Sequence, residues 1–394
     1  MSKNFKIAMI EPIGGHGGNE LYDNNLVNSI NMQNKYECFL YTCDSNNNIQ
    51  NKHIINSFKN IYGNTNKLFR GCRYIYHLIK SLIDAKQKKI HVLHIHFFGF
   101  SFIEYVTLFI SKIIFKFTVT ATIHDVKSVK EEANYKILNQ NKFLTLIDGI
   151  VFHTNYAKSE FLNSIKTSLL LDKPIKTIFA CDLDYKKIKQ KLISKEQARL
   201  DIDLPLNHNL VLFFGQIRKS KRLDVLLEAF ALVLKKHKKV KLIIAGKIVN
   251  DDINKYNRLI KLLDIGDNII FRNEFIIESD VEKFFSSADI IALPYERIYN
   301  SGVLIRAMSF GKKIIASDFG PFKEFIQNKQ NGFLFETNNY SLLADLILEV
   351  LNNKEKYKYI EINSHKYIND KFSLDKLGEQ YVNFYNKIIE GSYK

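Results

Sequence analysis

The sequence predicts an α/β protein made of two doubly wound, parallel-sheet domains. Three observations carry that expectation. Short apolar runs, about four to eight residues each, alternate with helical patterns. The alternation lapses in a charged connector at 182–209 and then restarts. The chain has 394 residues, more than one hydrophobic core usually organises.

The first run, KIAMIE at 6–11, reads as a buried strand. It ends in a glycine-rich turn at 12–18, where Gly15 and its neighbours would let the backbone approach a phosphate or sugar. The turn is not a G-x-G-x-x-G match, and a plain turn reads as well. A helix follows, with Leu21, Leu26, Val27 and Ile30 at helical spacing. YECFLYTC at 36–43 is the second strand, 44–66 an Asn-rich surface excursion with some local structure, and 70–86 a helix.

HVLHIHFF at 91–98 is a strand carrying His91, His94 and His96. A metal reading is disfavoured, because His91 falls on the face opposite the other two and no carboxylate lies nearby in the sequence. A core or active-site role is expected instead. The helical pattern at 102–115 leaves two readings open: packing on the sheet, or presenting an apolar and basic face to a bilayer. Strands at 117–123 and 149–154 end near His124 and at His153, and ligands bind beyond the carboxyl ends of parallel strands. A helix from 155 and a strand at 176–180 close the first half.

The connector holds a short helix, SKEQARL, and two D-x-D triplets, Asp182/Asp184 and Asp201/Asp203. About one such triplet arises by chance in a chain of this size, so no metal is expected. In the second half strands are expected at 210–215, 241–246, 268–273, 289–293, 312–317 and 332–336. Helices fill the gaps at 223–237, 252–264, 279–288, 301–310, 321–327 and 340–352. From 354 the chain is helical and ends in an amphipathic segment at 374–389.

The net charge is +16, with lysines spread along the chain. A solvated basic surface, an acidic substrate or an anionic membrane surface fits this pattern. No RNP, KH or zinc-finger pattern is present, so nucleic acid is not an expected partner. Four cysteines without a C-x-x-C pair read as free thiols in a reducing cytoplasm. The N-terminus does not read as a signal peptide, and the most apolar region, 97–122, is interrupted by Glu104, Lys112 and Lys116. The expected place is the cytoplasm, with the inner membrane face as a peripheral site.

Two clusters carry chemistry. In LVLFFGQIRKSKR at 210–222, an apolar strand breaks at Gly215 and delivers Arg218, Lys221 and Arg222. A departing diphosphate needs cations held by rigid elements, and Arg218 with Lys221 would meet it. At 293–311 a strand ends at Pro294, and a loop leads to Ser301-Gly302 and a helix start. Free amides and the helix dipole make that start an anion site, with Ser301 also an N-cap candidate.

The order GGxGG, strand-end HD, FGxIRxxK and PYxxxxSGVLxxAMxxGKxIIASDxG resembles the retaining glycosyltransferases of family 4, most strongly across 209–337. The resemblance implies the GT-B fold: two Rossmann-like domains facing a cleft. It implies an acceptor domain at 1–180, with a C-terminal helix at 374–394 crossing back onto it, and a donor domain at 181–373. It implies that Gly15 approaches the donor and acceptor, that His124 contacts the donor sugar, and that Arg218 and Lys221 hold the diphosphate. The amides of Ser301, Gly302 and Val303 would close on that diphosphate, in a loop with Tyr299 and Asn300, and the segment at Glu274 and Phe275 would hold the base. The implied activity is metal-independent, cofactor-free hexosyl transfer from a UDP- or GDP-linked sugar to a glycan, lipid-linked, in cell-surface polysaccharide synthesis. The family usually has two Glu residues eight apart; here those positions hold Ile298 and Arg306. Arginine accepts no hydrogen bond from a ribose hydroxyl. A non-catalytic homologue and a sugar-nucleotide epimerase on the same fold therefore remain as alternatives.

Overall fold

A computed structural model describes residues 5–14, 20–43, 51–63, 66–126, 140–165, 173–180 and 193–392. Gly15 and the Asp182/Asp184 triplet lie outside these residues. The chain divides into two compact units, Met1–Leu183 with Phe372–Lys394, and Asp184–Lys371.

The first unit holds a parallel sheet of β1 (Phe5–Glu11), β2 (Tyr36–Thr42), β3 (Ile54–Asn56), β4 (Val92–Phe97), β5 (Thr118–Ile123), β6 (Gly149–Phe152) and β7 (Ile175–Thr177). Their spatial order is β3-β2-β1-β4-β5-β6-β7. The strands are apolar because helices cover both faces of such a sheet. The order reverses between β1 and β4, which makes the loops leaving those strands the natural ligand position. The short β3 lies in the Asn-rich stretch expected to be a surface excursion; its Ile54 and Ile55 pair with Leu40 and Tyr41.

The helices of this unit are α1 (Glu20–Met32), α2 (Lys67–Gln87), α3 (Phe102–Phe109), α4 (Gln140–Leu144) and α5 (Asn155–Ser164). The expected single helix at 102–115 is a correction: α3 passes into a π-helical turn at Ile110–Ile114, closed by the Phe115 amide donating to the Ile110 carbonyl at 3.0 Å. The last helix of the chain, Leu374–Ser392, packs on α1, and its Leu377, Tyr381 and Tyr385 join Ile7, Leu26 and Ile30 in one core. A Cβ at Gly378 would stand 2.2 Å from the Ser29 carbonyl oxygen, so the two backbones touch there.

The second unit repeats the plan. Its strands are β8 (Asn209–Phe214), β9 (Val240–Ala245), β10 (Ile269–Arg272), β11 (Ile290–Leu293), β12 (Lys313–Ser317) and β13 (Phe333–Phe335). All pairs are parallel, in the order β10-β9-β8-β11-β12-β13, reversing between β8 and β11. After α6 (Lys195–Asp201) come α7 (Leu223–Lys236), α8 (Ile253–Leu262), α9 (Glu278–Ser287) and α10 (Gly302–Ser309). Then come α11 (Phe322–Phe325), α12 (Tyr340–Asn352) and α13 (Lys358–Lys371); the C-terminal helix of the first unit is α14. Half-buried Asp289 anchors α6 to the sheet by accepting from Arg199 at 2.9 Å, from Lys195 at 2.5 Å and from the Leu210 amide at 2.8 Å. Against the opposing effect of burial, Lys195, the Leu210 amide and Lys354 hold its carboxyl down at about 2.

Candidate active site

In the second unit the sequence places its cations at the carboxyl end of β8, beside β11. Gly215 has φ 89°, and its amide donates to the Ala245 carbonyl at 2.9 Å, continuing the ladder. A Cβ at Gly246 would stand 2.1 Å from the Gly215 oxygen, so this crossing of two strand ends requires glycine. The chain then makes a 3₁₀ turn at Lys219–Lys221 and enters α7 through Arg222, whose φ of 49° is left-handed. The amide of Glu296, in the loop after β11, donates to the Ser220 carbonyl at 2.9 Å and ties the two loops together.

This packing gathers Lys221, Tyr295, Gly215 and Val303, with Arg218 beside them. The Lys221 ammonium lies 5.0 Å from the centre of the Tyr295 ring. The position a Gly215 Cβ would take is 3.3 Å from Lys221 Nζ and 3.2 Å from a Val303 methyl. Burial, and then the neighbouring Arg218, brings the Lys221 ammonium down to about 7. The Arg218 guanidinium donates from one arm to Gln216 Oε1 at 2.6 Å, while its Nε is buried without a hydrogen-bond partner. Two cations this close, one with an unmet donor, describe a place lacking a negative charge.

Arg222 is different. The sequence sets it beside the other two cations, but its guanidinium is consumed by Asp224 at 3.1 Å, by Glu296 at 2.5 Å and by Asn338. It fastens the loop rather than presenting charge. Ser301 is the N-cap of α10, its hydroxyl accepting from the Leu304 amide at 3.2 Å. Gly302 and Val303 then form the first turn, whose amides have no partner within the helix. Tyr299 is buried and Asn300 partly so in the loop before it, whereas Glu274 and Phe275 are exposed in the loop after β10. Arg306 faces a carboxylate of this chain: it donates to both Glu278 oxygens, at 2.9 and 3.0 Å, across to the first residue of α9. Sequence spacing did not suggest that pair, since its members are on different helices.

In the first unit the matching strand ends hold a buried polar cluster. His94 is satisfied by Thr120 at 2.8 Å and Thr122 at 2.7 Å. Thr122 continues to Tyr381 at 3.2 Å, and Tyr381 to Tyr22 at 2.9 Å, so His94 belongs to the seam under α14. His124 stacks on Phe98, ring centres 4.4 Å apart, with its Nε2 3.3 Å from His96 Nδ1. His153 stands 4.8 Å from His124, centre to centre, and its Nδ1 donates to the Ile178 carbonyl at 2.9 Å. His91 is apart and exposed, accepting from the Lys6 amide at 3.1 Å.

Carboxylates are present after all, which corrects the reading from sequence proximity. Asp23 of α1 lies 3.3 Å from His96 Nδ1, and Glu11 at the end of β1 accepts from the amides of Ile13 and Gly14. Among the described residues no group of three or more His, Cys, Asp or Glu side chains is arranged to hold a metal. Burial keeps the imidazoles neutral, His96 and His153 down at about 4 and His124 well below its ordinary value. Burial, then Asp23, raises Glu11 to about 8.

With this geometry in view, similarity to known proteins is informative. The sequence pattern described as glycosyl transferases group 1 matches residues 194–367. The capsular polysaccharide biosynthesis glycosyltransferase CapM of Staphylococcus aureus is 24% identical over 189 residues, 48% of each chain. The poly(ribitol-phosphate) alpha-N-acetylglucosaminyltransferase of Staphylococcus aureus is 25% identical over 270 residues, 66% of this chain and 48% of that one. The chain spans about half the length of the curated relatives it matches. In fold it is similar to sucrose-phosphate synthase from Thermosynechococcus elongatus, with a TM-score of 0.76, 15% identity and coverage of 98% and 99%. It is equally similar to Anabaena Alr3699/HepE in complex with UDP and glucose, with a TM-score of 0.77, 17% identity and coverage of 97% and 99%. Both units are Rossmann-like, as in the GT-B enzymes, and residues 194–367 match the pattern of the glycosyl transferases group 1.

Proposed function

We propose that the protein is a retaining glycosyltransferase. It moves a hexosyl group from a UDP- or GDP-linked sugar to a glycan on a lipid carrier, at the cytoplasmic membrane face, in cell-surface polysaccharide synthesis. The observation that carries this reading is the pair of cations at the β8 switch point. Lys221 is enclosed against Tyr295 and Val303, and Arg218 has an unmet buried donor.

In this reaction the incoming hydroxyl attacks on the face the diphosphate leaves, and a phosphate oxygen takes its proton. Charge grows on the leaving diphosphate. Lys221, Arg218 and the amides of Gly302 and Val303 stabilise it there. The neutral His124 imidazole offers a hydrogen bond to a sugar hydroxyl without adding charge. Glu274 and Phe275 receive the base, and Gly15 approaches the donor and the acceptor. The chemistry is charge stabilisation and positioning by side chains and amides, with neither metal nor cofactor assigned a role.

The test is a panel of UDP- and GDP-sugars, followed by thermal shift and nucleotide release. A shift with one nucleotide class and release upon adding a glycan acceptor are expected. No shift with any nucleotide would sink the donor assignment. One observation favours a second reading, a non-catalytic homologue: Arg306 is locked to Glu278 instead of leaving a carboxylate at position 306. Nucleotide binding without turnover, with turnover gained by Arg306→Glu, would decide for it. Product formed without any acceptor would instead indicate an epimerase.

A further inference from the structure

The Arg306–Glu278 pair joins two helices that both start at the ligand-facing end of the second sheet. α9 opens with Glu278, three residues after Phe275, and α10 opens with Gly302 and Val303. Each helix follows a strand of a parallel sheet, so each start lies beyond a carboxyl strand end. The two helices pack together beside the end of β8. Phe285 of α9 stacks on Phe310, which ends α10, with ring centres 5.4 Å apart, and meets Phe214 at 5.0 Å.

Arg306 shares the α10 face that borders the cations. It follows Gly302 by four residues and Val303 by three, so the three lie on one side of the helix. All three are partly exposed, whereas Leu304 and Ile305 between them are buried. A Val303 methyl borders the corner between Gly215 and Lys221.

The pair leaves acceptor capacity unused. Arg306 meets both Glu278 oxygens with one nitrogen, Nη1, at 2.9 and 3.0 Å. A carboxylate offers about four lone-pair sites, so about two stay open. The Glu278 side chain is 39% exposed against 11% for Arg306, so the carboxylate is the more open partner. A nucleoside diphosphate with its phosphates at the first turn of α10 and its base at Phe275 carries its ribose from the start of α10 to the start of α9. Glu278 stands at that second start. Ribose hydroxyls are donors that a carboxylate at a Rossmann-type sheet can accept from.

We propose that Glu278 accepts the ribose 2′- and 3′-hydroxyls of the donor nucleotide, with Arg306 as the positioning residue that orients its carboxylate. The assignment rests on the nucleotide reading of the donor site. It supplies from α9 the acceptor that position 306 of α10 lacks. The test is calorimetry of the full chain with UDP and 2′,3′-dideoxy-UDP, or the guanosine pair if that class gives the thermal shift. The wild type should prefer the ribonucleotide by about 30-fold. Glu278→Gln keeps one carbonyl oxygen for Arg306, and its preference should fall to about three-fold. Arg306→Met, which leaves the carboxylate unheld, should fall to about ten-fold. Affinity for the dideoxy nucleotide should stay within about two-fold in both variants, because neither residue has a hydroxyl to meet there. A pair that only fastens α9 to α10 would change both affinities together and leave the preference at its wild-type value, which would overturn the proposal. So would a wild-type preference below about three-fold, whatever the variants do. Loss of the preference in Arg306→Met but not in Glu278→Gln would also overturn it, since the hydroxyls would then lie on the guanidinium. Binding of neither nucleotide to the wild type would remove the nucleotide reading and this assignment with it. Nucleotide binding with an unmoved preference would remove the Glu278 assignment alone.

Discussion

The two units share one strand order yet furnish their switch points in opposite ways. At β8 and β11 the second unit gathers Lys221 and Arg218 and leaves an arginine donor unmet. At β1, β4 and β5 the first unit gathers imidazoles that burial keeps neutral and a Glu11 carboxyl pushed up to about 8. Topology fixes where a ligand can approach, and the residues at strand ends fix its charge. One end suits an anion, the other suits hydroxyl groups.

The largest effect should separate the two ends. Lys221→Ala is expected to lower turnover by about 10²–10³-fold, the scale of removing one charge-stabilising group. His124→Ala should lower turnover while leaving nucleotide affinity within about two-fold, since charge is untouched. Equal loss of nucleotide affinity in both variants, by calorimetry, would erase the distinction.

The next test acts on one unit only. Gly378→Val forces a side chain into the Ser29 carbonyl, against a Cβ approach of 2.2 Å. A loss of about 3 kcal/mol is expected. Hydrogen exchange should rise in α1 and α14 while β8–β13 keep their protection; uniform loss would show that the units do not act separately.

A smaller effect follows from the Lys221 ammonium. It sits at about 7 in the folded chain against an ordinary 10.5, so the unfolded chain binds more protons between those values. Its destabilising contribution is complete below pH 7 and fades as pH rises toward 10.5. Lys221→Met should therefore gain stability at pH 7 and lose about 2 kcal/mol of that advantage by pH 9, read from denaturant midpoints. A constant difference across this range would place the ammonium in water. The smallest effect belongs to the partly exposed Arg306–Glu278 pair, for which a double-mutant cycle should give about 0.5–1 kcal/mol.

Much of this was legible in the sequence. The alternation of apolar runs and helical patterns gave every strand of the second sheet to within a residue or two, because a strand buried on both faces must be apolar throughout. The three-residue β3 was hidden in an Asn-rich stretch, since a short edge strand needs little apolar surface. The π turn was invisible because side-chain spacing alone does not report a shift of one hydrogen bond. Lys221 and Arg218 are singled out in the sequence by their place after β8. What sequence could not divide was Arg222 from Arg218: one meets Asp224 and Glu296, the other does not. Likewise Asp23 lies on α1 and His96 on β4, so only folding brings them together.

The central claim is that Lys221 and Arg218 hold a diphosphate. Calorimetry with UDP and with uridine, or GDP and guanosine if that class gives the thermal shift, tests it most directly. The wild type should prefer the diphosphate by at least about 100-fold, and Lys221→Ala and Arg218→Ala should each lose about ten-fold of that preference while binding the nucleoside unchanged. A preference retained in full by both variants would contradict the account.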